Sequence, residues 1–171
     1  MTTFNKKYEL LTTDTKLYSG RTLYRIRALV SVGFSVVAGD LGGYIEKEGN
    51  LSHVGDARVY GNARVYGDAW VYGNAVVYGD AWVYGDAWVY GNARVENRTH
   101  WLLIGPAKSS GRFTTAYKDT KLGVRIVCGC FTGTVKEFSD QIEKTHKNNK
   151  EYLEQYRLFC QLIAFNFGVE Q

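Results

Sequence analysis

Proline occurs once in 171 residues and cysteine three times. An odd number of cysteines without framework spacing excludes a disulfide-stapled secreted scaffold and points to a reducing, intracellular setting. No apolar run approaches the roughly 18 residues a membrane helix needs, and the first residues, MTTFNKKYELLTTD, lack the apolar stretch of a signal peptide. A cytoplasmic chain that does not span a membrane is therefore expected. Neither sign of charge dominates, because the net charge is +4, so a polyanionic mimic and a polycationic nucleic-acid tail are both excluded. A basic bias is confined to Lys108, Arg112, Lys118, Lys121 and Arg125, set against Asp119. It could meet an acidic partner or nucleic acid, but an ordinary solvated surface is the expected reading.

Glycine and aromatics are plentiful. There are 19 glycines, about 11% against a usual roughly 7%, and 13 tyrosines, 8 phenylalanines and 4 tryptophans. Apolar residues at 45% and charged residues at 22% are ordinary for a globular chain and exclude wholesale disorder. Many tight turns between short aromatic-bearing strands follow, rather than a helical bundle.

A six-residue period governs the middle of the chain. Valine recurs at 59, 65, 71, 77, 83, 89 and 95, alanine stands two residues before each, and Gly-Asp or Gly-Asn closes every unit from Gly55-Asp56 to Gly91-Asn92. Within A-x-V-Y, alternation puts Ala and Val on one face and the x residue and Tyr on the other. Gly-Asp and Gly-Asn supply corners because they tolerate positive φ. Strands this short cannot pair as a flat meander. They can pair with the equivalent strand one full coil later, with Ala and Val filling a narrow interior.

The V-Y-G-D-A-W units resemble those of hexapeptide-repeat, left-handed parallel β-helix proteins. That resemblance covers about residues 41–100 and implies a mainly β, single-stranded solenoid in which three hexads make a coil of 18 residues. Domain limits of 1–40 for an N-terminal β cap, 41–104 for the solenoid and 105–171 for a C-terminal cap are expected. Leu41 stands 18 before Val59 and Leu51 stands 6 before Ala57, so both are expected to belong to a degenerate first coil. Residues 4–30 read as short capping strands, which a solenoid needs at an open end. Thr99 and Trp101 keep the Ala and Val positions, extending the coil to about 104. Beyond it, 113–117 and 124–130 read as a β-hairpin. Thr134 with Glu137 forms a capping box for one helix, and a second runs from about Asn149 to Phe167 with Gly168 as its stop. The C-terminal cap is thus a ββαα unit.

An 18-residue coil sorts the outward side chains onto three faces. Arg58, Val76 and Arg94 stand beside Tyr60, Tyr78 and Glu96 on the first. The second carries Arg64, Trp82 and His100 beside Tyr66 and Tyr84. The third places Trp70 over Trp88 and Tyr72 over Tyr90, without a charge. Such a plate is expected to be covered by the C-terminal helices or by a second copy of the chain, with a homo-oligomer favoured. Alternatively it serves as a platform for bases or sugar rings. A tyrosine ladder also has a purely structural use, since cross-strand aromatic pairs stabilise sheets.

Chemistry-bearing residues are missing where an enzyme of this solenoid type would need them. Residues 54–95 contain no His, Cys, Ser or Thr, and no loop interrupts the hexads. His53 and His100 lie at opposite ends of the repeat, and His146 lies in another module. The resemblance implies acyltransferases as the enzymes to consider, and these use a histidine base; carbonic-anhydrase relatives need three histidines around zinc. Cys128-Gly129-Cys130, with Cys160 and His146, could supply metal ligands in principle, but buried packing is the expected role of the cysteines. No catalytic residue, metal or cofactor is therefore assigned.

Taken together, D-L-G-G-Y-I-E, the V-Y-G-D-A units and the tail G-C-F-T-G-T-V-K-E-F resemble small accessory proteins of bacteriophages and prophages. That resemblance implies a non-enzymatic protein in a bacterial host cell, acting by protein–protein contact to block a host defence complex in anti-CRISPR-like or other counter-defence fashion. A hexapeptide-repeat acyltransferase is the alternative, and a nucleotide- or sugar-binding sponge the third. The aromatic and Arg columns are the candidate binding residues in the first reading.

Overall fold

The computed structural model describes residues 6–170, and the chain divides into two compact units, one ending at Arg98 and the other beginning at Thr99. In the first unit, β1 (Tyr8–Tyr18) and β2 (Arg21–Ala28) form an antiparallel hairpin, and β3 (Leu41–Ile45) pairs antiparallel with β2. Seven two-residue strands follow: β4 (Arg58–Val59), β5 (Arg64–Val65), β6 (Trp70–Val71), β7 (Val76–Val77), β8 (Trp82–Val83), β9 (Trp88–Val89) and β10 (Arg94–Val95). They pair in parallel at a spacing of 18, as β4–β7–β10, β5–β8 and β6–β9. The repeat is thus a β-solenoid with three ladders.

The alternation within each hexad explains the interior. Ala57, Ala63, Ala69, Ala75, Ala81, Ala87 and Ala93 are buried, as are the valines that follow each at two residues. Each strand donates backbone hydrogen bonds to the next coil; Trp70 N–H reaches Ala87 O at 2.9 Å and Tyr72 N–H reaches Val89 O at 3.1 Å. Corners need glycine for two reasons at once. At Gly73 φ is +67°, and a Cβ there would lie 3.2 Å from the Gly91 nitrogen of the coil above.

The first coil departs from the expected register. Tyr44 and Ile45 pair with Arg64 and Val65, and Leu51 bridges Val71, an offset of twenty rather than 18. Ile45 and Leu51 are a hexad apart, so the two extra residues fall between Leu51 and Val59. Leu51 therefore occupies a valine position, and Leu41, expected to stack on Val59, is 52% exposed. Gly43 fills an alanine position, where a Cβ would come within 2.7 Å of Ala63 O. Asn50 is buried there too, and its amide donates to Gly67 O and Ala69 O at 3.1 and 2.8 Å. A side-chain amide thus supplies the hydrogen bonds that a strand backbone would have made.

The N-terminal segment is a long hairpin rather than a set of short capping strands. Ser19-Gly20 turn it with positive φ at both residues, the two-residue turn whose twist matches the flanking strands. Through β3 it continues the β5–β8 ladder as one five-stranded sheet, so the described part of the expected N-terminal cap, residues 6–40, is not a module apart from the repeat. At the other end the coil stops six residues before the expected limit of 104.

In the second unit, β11 (Trp101–Ile104), β12 (Thr114–Asp119), β13 (Gly123–Cys128) and β14 (Phe131–Gly133) form an antiparallel meander. The expected hairpin is its central pair, so the cap has four strands instead of two. Residues 101–104 belong to this sheet, because their hydrogen bonds run antiparallel to β12. Helix α1 (Val135–His146) starts at the Thr134–Glu137 capping box, and α2 (Lys150–Phe167) starts at Asn149 and ends on Gly168 at φ +64°. Tyr156, Cys160 and Ile163 of α2 pack with Val135, Phe138, Ile142 and Ile126 into the core of this unit. No helix among the described residues is long and apolar enough to cross a membrane.

Candidate binding surface of the solenoid

On the first face the arginines are held by the coil itself. Arg58 and Arg94 flank Val76 in one ladder, and Val76, although it points outward, is 2% exposed. Arg94 donates to Asn74 O and Ala93 O, and Arg58 donates to Asp56 O. Tyr60 and Tyr78 stack at 5.3 Å. This face seals a hydrophobic strip with arginine stems.

On the second face Trp82 is met by two guanidinium groups, with Arg64 at 4.5 Å and Arg98 at 3.6 Å from the ring centre. Arg98 takes the place expected for His100, which belongs to the second unit. Tyr18 closes the cluster from the hairpin, edge-on to Trp82 at 4.6 Å and near Tyr66 at 5.6 Å. Tyr66 stacks on Tyr84 at 5.3 Å. Tyr18 lies outside the hexads, and Arg98 stands six after Asn92 at a corner position rather than among the outward-facing columns, so the columns alone give no sign of either. Two cation–π contacts engage Trp82, and this surface is largely saturated by its own chain.

The third face is different. Trp70 and Trp88 meet edge to face at 6.1 Å, Trp70 stacks on Tyr72 at 4.0 Å, and Tyr72 stacks on Tyr90 at 4.5 Å. Within this unit Trp70 remains 39% and Trp88 44% exposed. Asp68 pairs with Lys47 at 2.8 Å beside the plate, leaving the four rings themselves uncharged. Burial and the neighbouring Tyr90 push the Tyr72 hydroxyl up to about 12. An ultraviolet titration is therefore expected to show a tyrosine class ionising near 12, with Tyr72→Phe removing part of it; a single class at the ordinary value near 10 would contradict the packing of the plate.

The basic stretch does not act as one patch. Lys108 pairs with Glu151, and Arg125 donates to the buried Asp119 at 2.7 Å and to Thr132 at 3.2 Å. Arg112 packs over Gly129, where a Cβ would touch its guanidinium at 2.6 Å. Lys118 and Lys121 are exposed. Two of the five cations are thus matched by carboxylates of their own unit.

Nor are the histidines assembled. His53 stacks on Tyr8 at 4.3 Å, and its Nδ1 accepts the Lys7 backbone N–H at 3.1 Å. Burial holds His53 below the ordinary imidazole value. His146 stacks on Tyr156 at 5.1 Å in the second unit. Cys160 is buried in the helical core, with its thiol pushed up to about 11 by burial. Cys128 ends β13 and Cys130 follows the positive-φ Gly129, so the two do not share a strand face as C-x-C on a continuous strand would.

A family model described as the YdcK β-solenoid repeat matches residues 57–73 and 69–85. These segments cover β4 to β8 and both kinds of corner, and the match supports a β-solenoid at the level of the repeat. No curated protein matches the sequence significantly.

Proposed function

We propose that the chain is a non-enzymatic binding protein that holds a protein partner on the third face of a left-handed parallel β-helix. The open, uncharged plate of Trp70, Tyr72, Trp88 and Tyr90 carries this reading. Rings stacked on one another are rigid and lose little freedom on docking, and tryptophan and tyrosine are the residue types that dominate interface hot spots. The matching arginines of the other two faces are engaged within the coil, which leaves this face as the one suited to a partner. The resemblance to phage and prophage accessory proteins directs the search to a bacterial host, with a defence complex blocked by occlusion as the partner class.

The test is capture by tagged wild-type and Trp88→Asp chains from a bacterial host extract, with the retained proteins identified. Loss of a hot-spot tryptophan costs at least about 2 kcal/mol, so retention of the specific partner is expected to fall more than tenfold while the melting temperature drops only a few degrees. Equal retention by the two chains would place the contact elsewhere.

A further inference from the structure

The connection between β2 and β3 is apolar where a loop would ordinarily be polar. It reads A-L-V-S-V-G-F-S-V-V-A-G over residues 28–39, and Phe34 at its tip is 111% exposed. Leu29, Val30 and Val37 are exposed beside it, as is Leu41 at the start of β3. This is not a slack segment. Val32 N–H donates to Val36 O at 2.9 Å, making a tight hairpin around positive-φ Gly33. Ala28 N–H reaches Asp40 O, Leu29 N–H reaches Lys7 O, and the Asp40 carboxylate accepts Val37 N–H at 2.8 Å. The phenyl ring is thus held out on a braced support.

Directly under the hairpin lies a cavity of about 240 Å³ whose walls include Ile26, Val32, Val36, Leu41 and Val59. A dry apolar cavity of roughly 150 Å³ is enough to take up benzene, so this one admits a phenyl ring. The cavity shares Ser35 and Val36 with the hairpin that carries Phe34, which puts a knob and a hole side by side on one surface. That adjacency is what a two-fold axis requires, because it brings each knob to the other copy's hole in a single closed contact. Lys7, Arg58 and Asp40 also line the cavity, and each is hydrogen-bonded within its own chain. A fully exposed Phe contributes about 200 Å², and with its four exposed aliphatic neighbours it makes an apolar surface of the kind that marks an interaction site.

We propose that the chain forms a two-fold homodimer through the 28–41 segment, with Phe34 of each copy seated in the cavity of the other. This contact is separate from the aromatic plate and does not rest on it. Analytical ultracentrifugation of the full chain at tens of micromolar is expected to give about twice the 19.3 kDa of one chain. Phe34→Asp, which alters a side chain with no packing of its own, is expected to yield single chains with an unchanged melting temperature. Leu41→Glu, at the mouth of the cavity, should weaken the pair at least tenfold, whereas Trp88→Asp should leave it intact. A wild-type chain that sediments as a monomer, or a Phe34→Asp chain that remains paired, overturns the proposal. So does a monomer that binds phospholipid vesicles through Phe34, since the occupant would then be a bilayer.

Discussion

Replacing Val71 by Asp is expected to abolish cooperative folding of the solenoid unit, while the same substitution one residue earlier, Trp70→Asp, lowers the melting temperature by only a few degrees. Both residues lie on the same two-residue strand, but they face opposite ways. Val71 is wholly buried between Leu51 in the coil below and Val89 in the coil above. Its loss removes about 1.5–3 kcal/mol of burial, and an unpaired carboxylate in an interior lined by alanine and valine costs several kcal/mol more. That sum consumes most of the roughly 5–15 kcal/mol by which a domain is stable. Trp70 is 39% exposed and gives up one stacked and one edge contact, about 0.5–1.5 kcal/mol for each aromatic pair. Circular dichroism on heating checks both; similar melting curves for the two variants would mean that the Ala–Val faces are not the interior.

The second large effect belongs to the other unit. The Asp119 side chain is completely buried, accepts Lys121 N–H and Leu122 N–H at 2.8 and 3.1 Å, and accepts Arg125 Nε at 2.7 Å. Asp119→Ala takes the carboxylate from a guanidinium that is itself 15% exposed and strips two turn amides of their acceptor. Breaking a buried pair in this way costs about 3–5 kcal/mol, which at roughly 4–8 °C per kcal/mol in a unit of this size lowers its melting by about 12 °C or more. The pair also makes a pH signature. Burial alone would raise the Asp119 carboxyl, but the Arg125 guanidinium and the two backbone amides outweigh it and hold the group below the usual carboxylate range. Because the folded value lies below the unfolded value near 4, the stabilisation is complete above about pH 4 and disappears as pH falls through the folded value. Asp119→Ala is therefore expected to flatten the acid limb of the stability curve, and an unchanged acid limb would show that the ion pair contributes nothing.

The positions of the cations show where pattern reading reaches its limit. Arg125 was one of five basic residues expected to compose a patch, yet its charge is spent on Asp119 six residues earlier in the same hairpin. Arg98, at the corner position six after Asn92, covers Trp82 in the place assigned to His100. Charge is visible in composition, whereas pairing depends on which side chains the backbone brings within a few ångströms, and a hairpin or an irregular turn decides that.

What the amino-acid order determined by itself is the repetitive part. Seven Ala-x-Val units joined by glycine corners dictate three parallel ladders at a spacing of 18, because every unit meets a neighbour with the same alternation and no other register buries all the valines. The starts of both helices and the stop of the second were legible too, since Thr134, Glu137, Asn149 and Gly168 act through hydrogen bonds and φ angles within a few residues of themselves. Tertiary structure alone decided the twenty-residue first coil, the extension of a solenoid ladder by β1 and β2, the end of the coil at Arg98, and the exposed Phe34 above its cavity. Each of these depends on pairing between segments that lack a common period, where several registers satisfy local propensity and only the packing of distant side chains selects one.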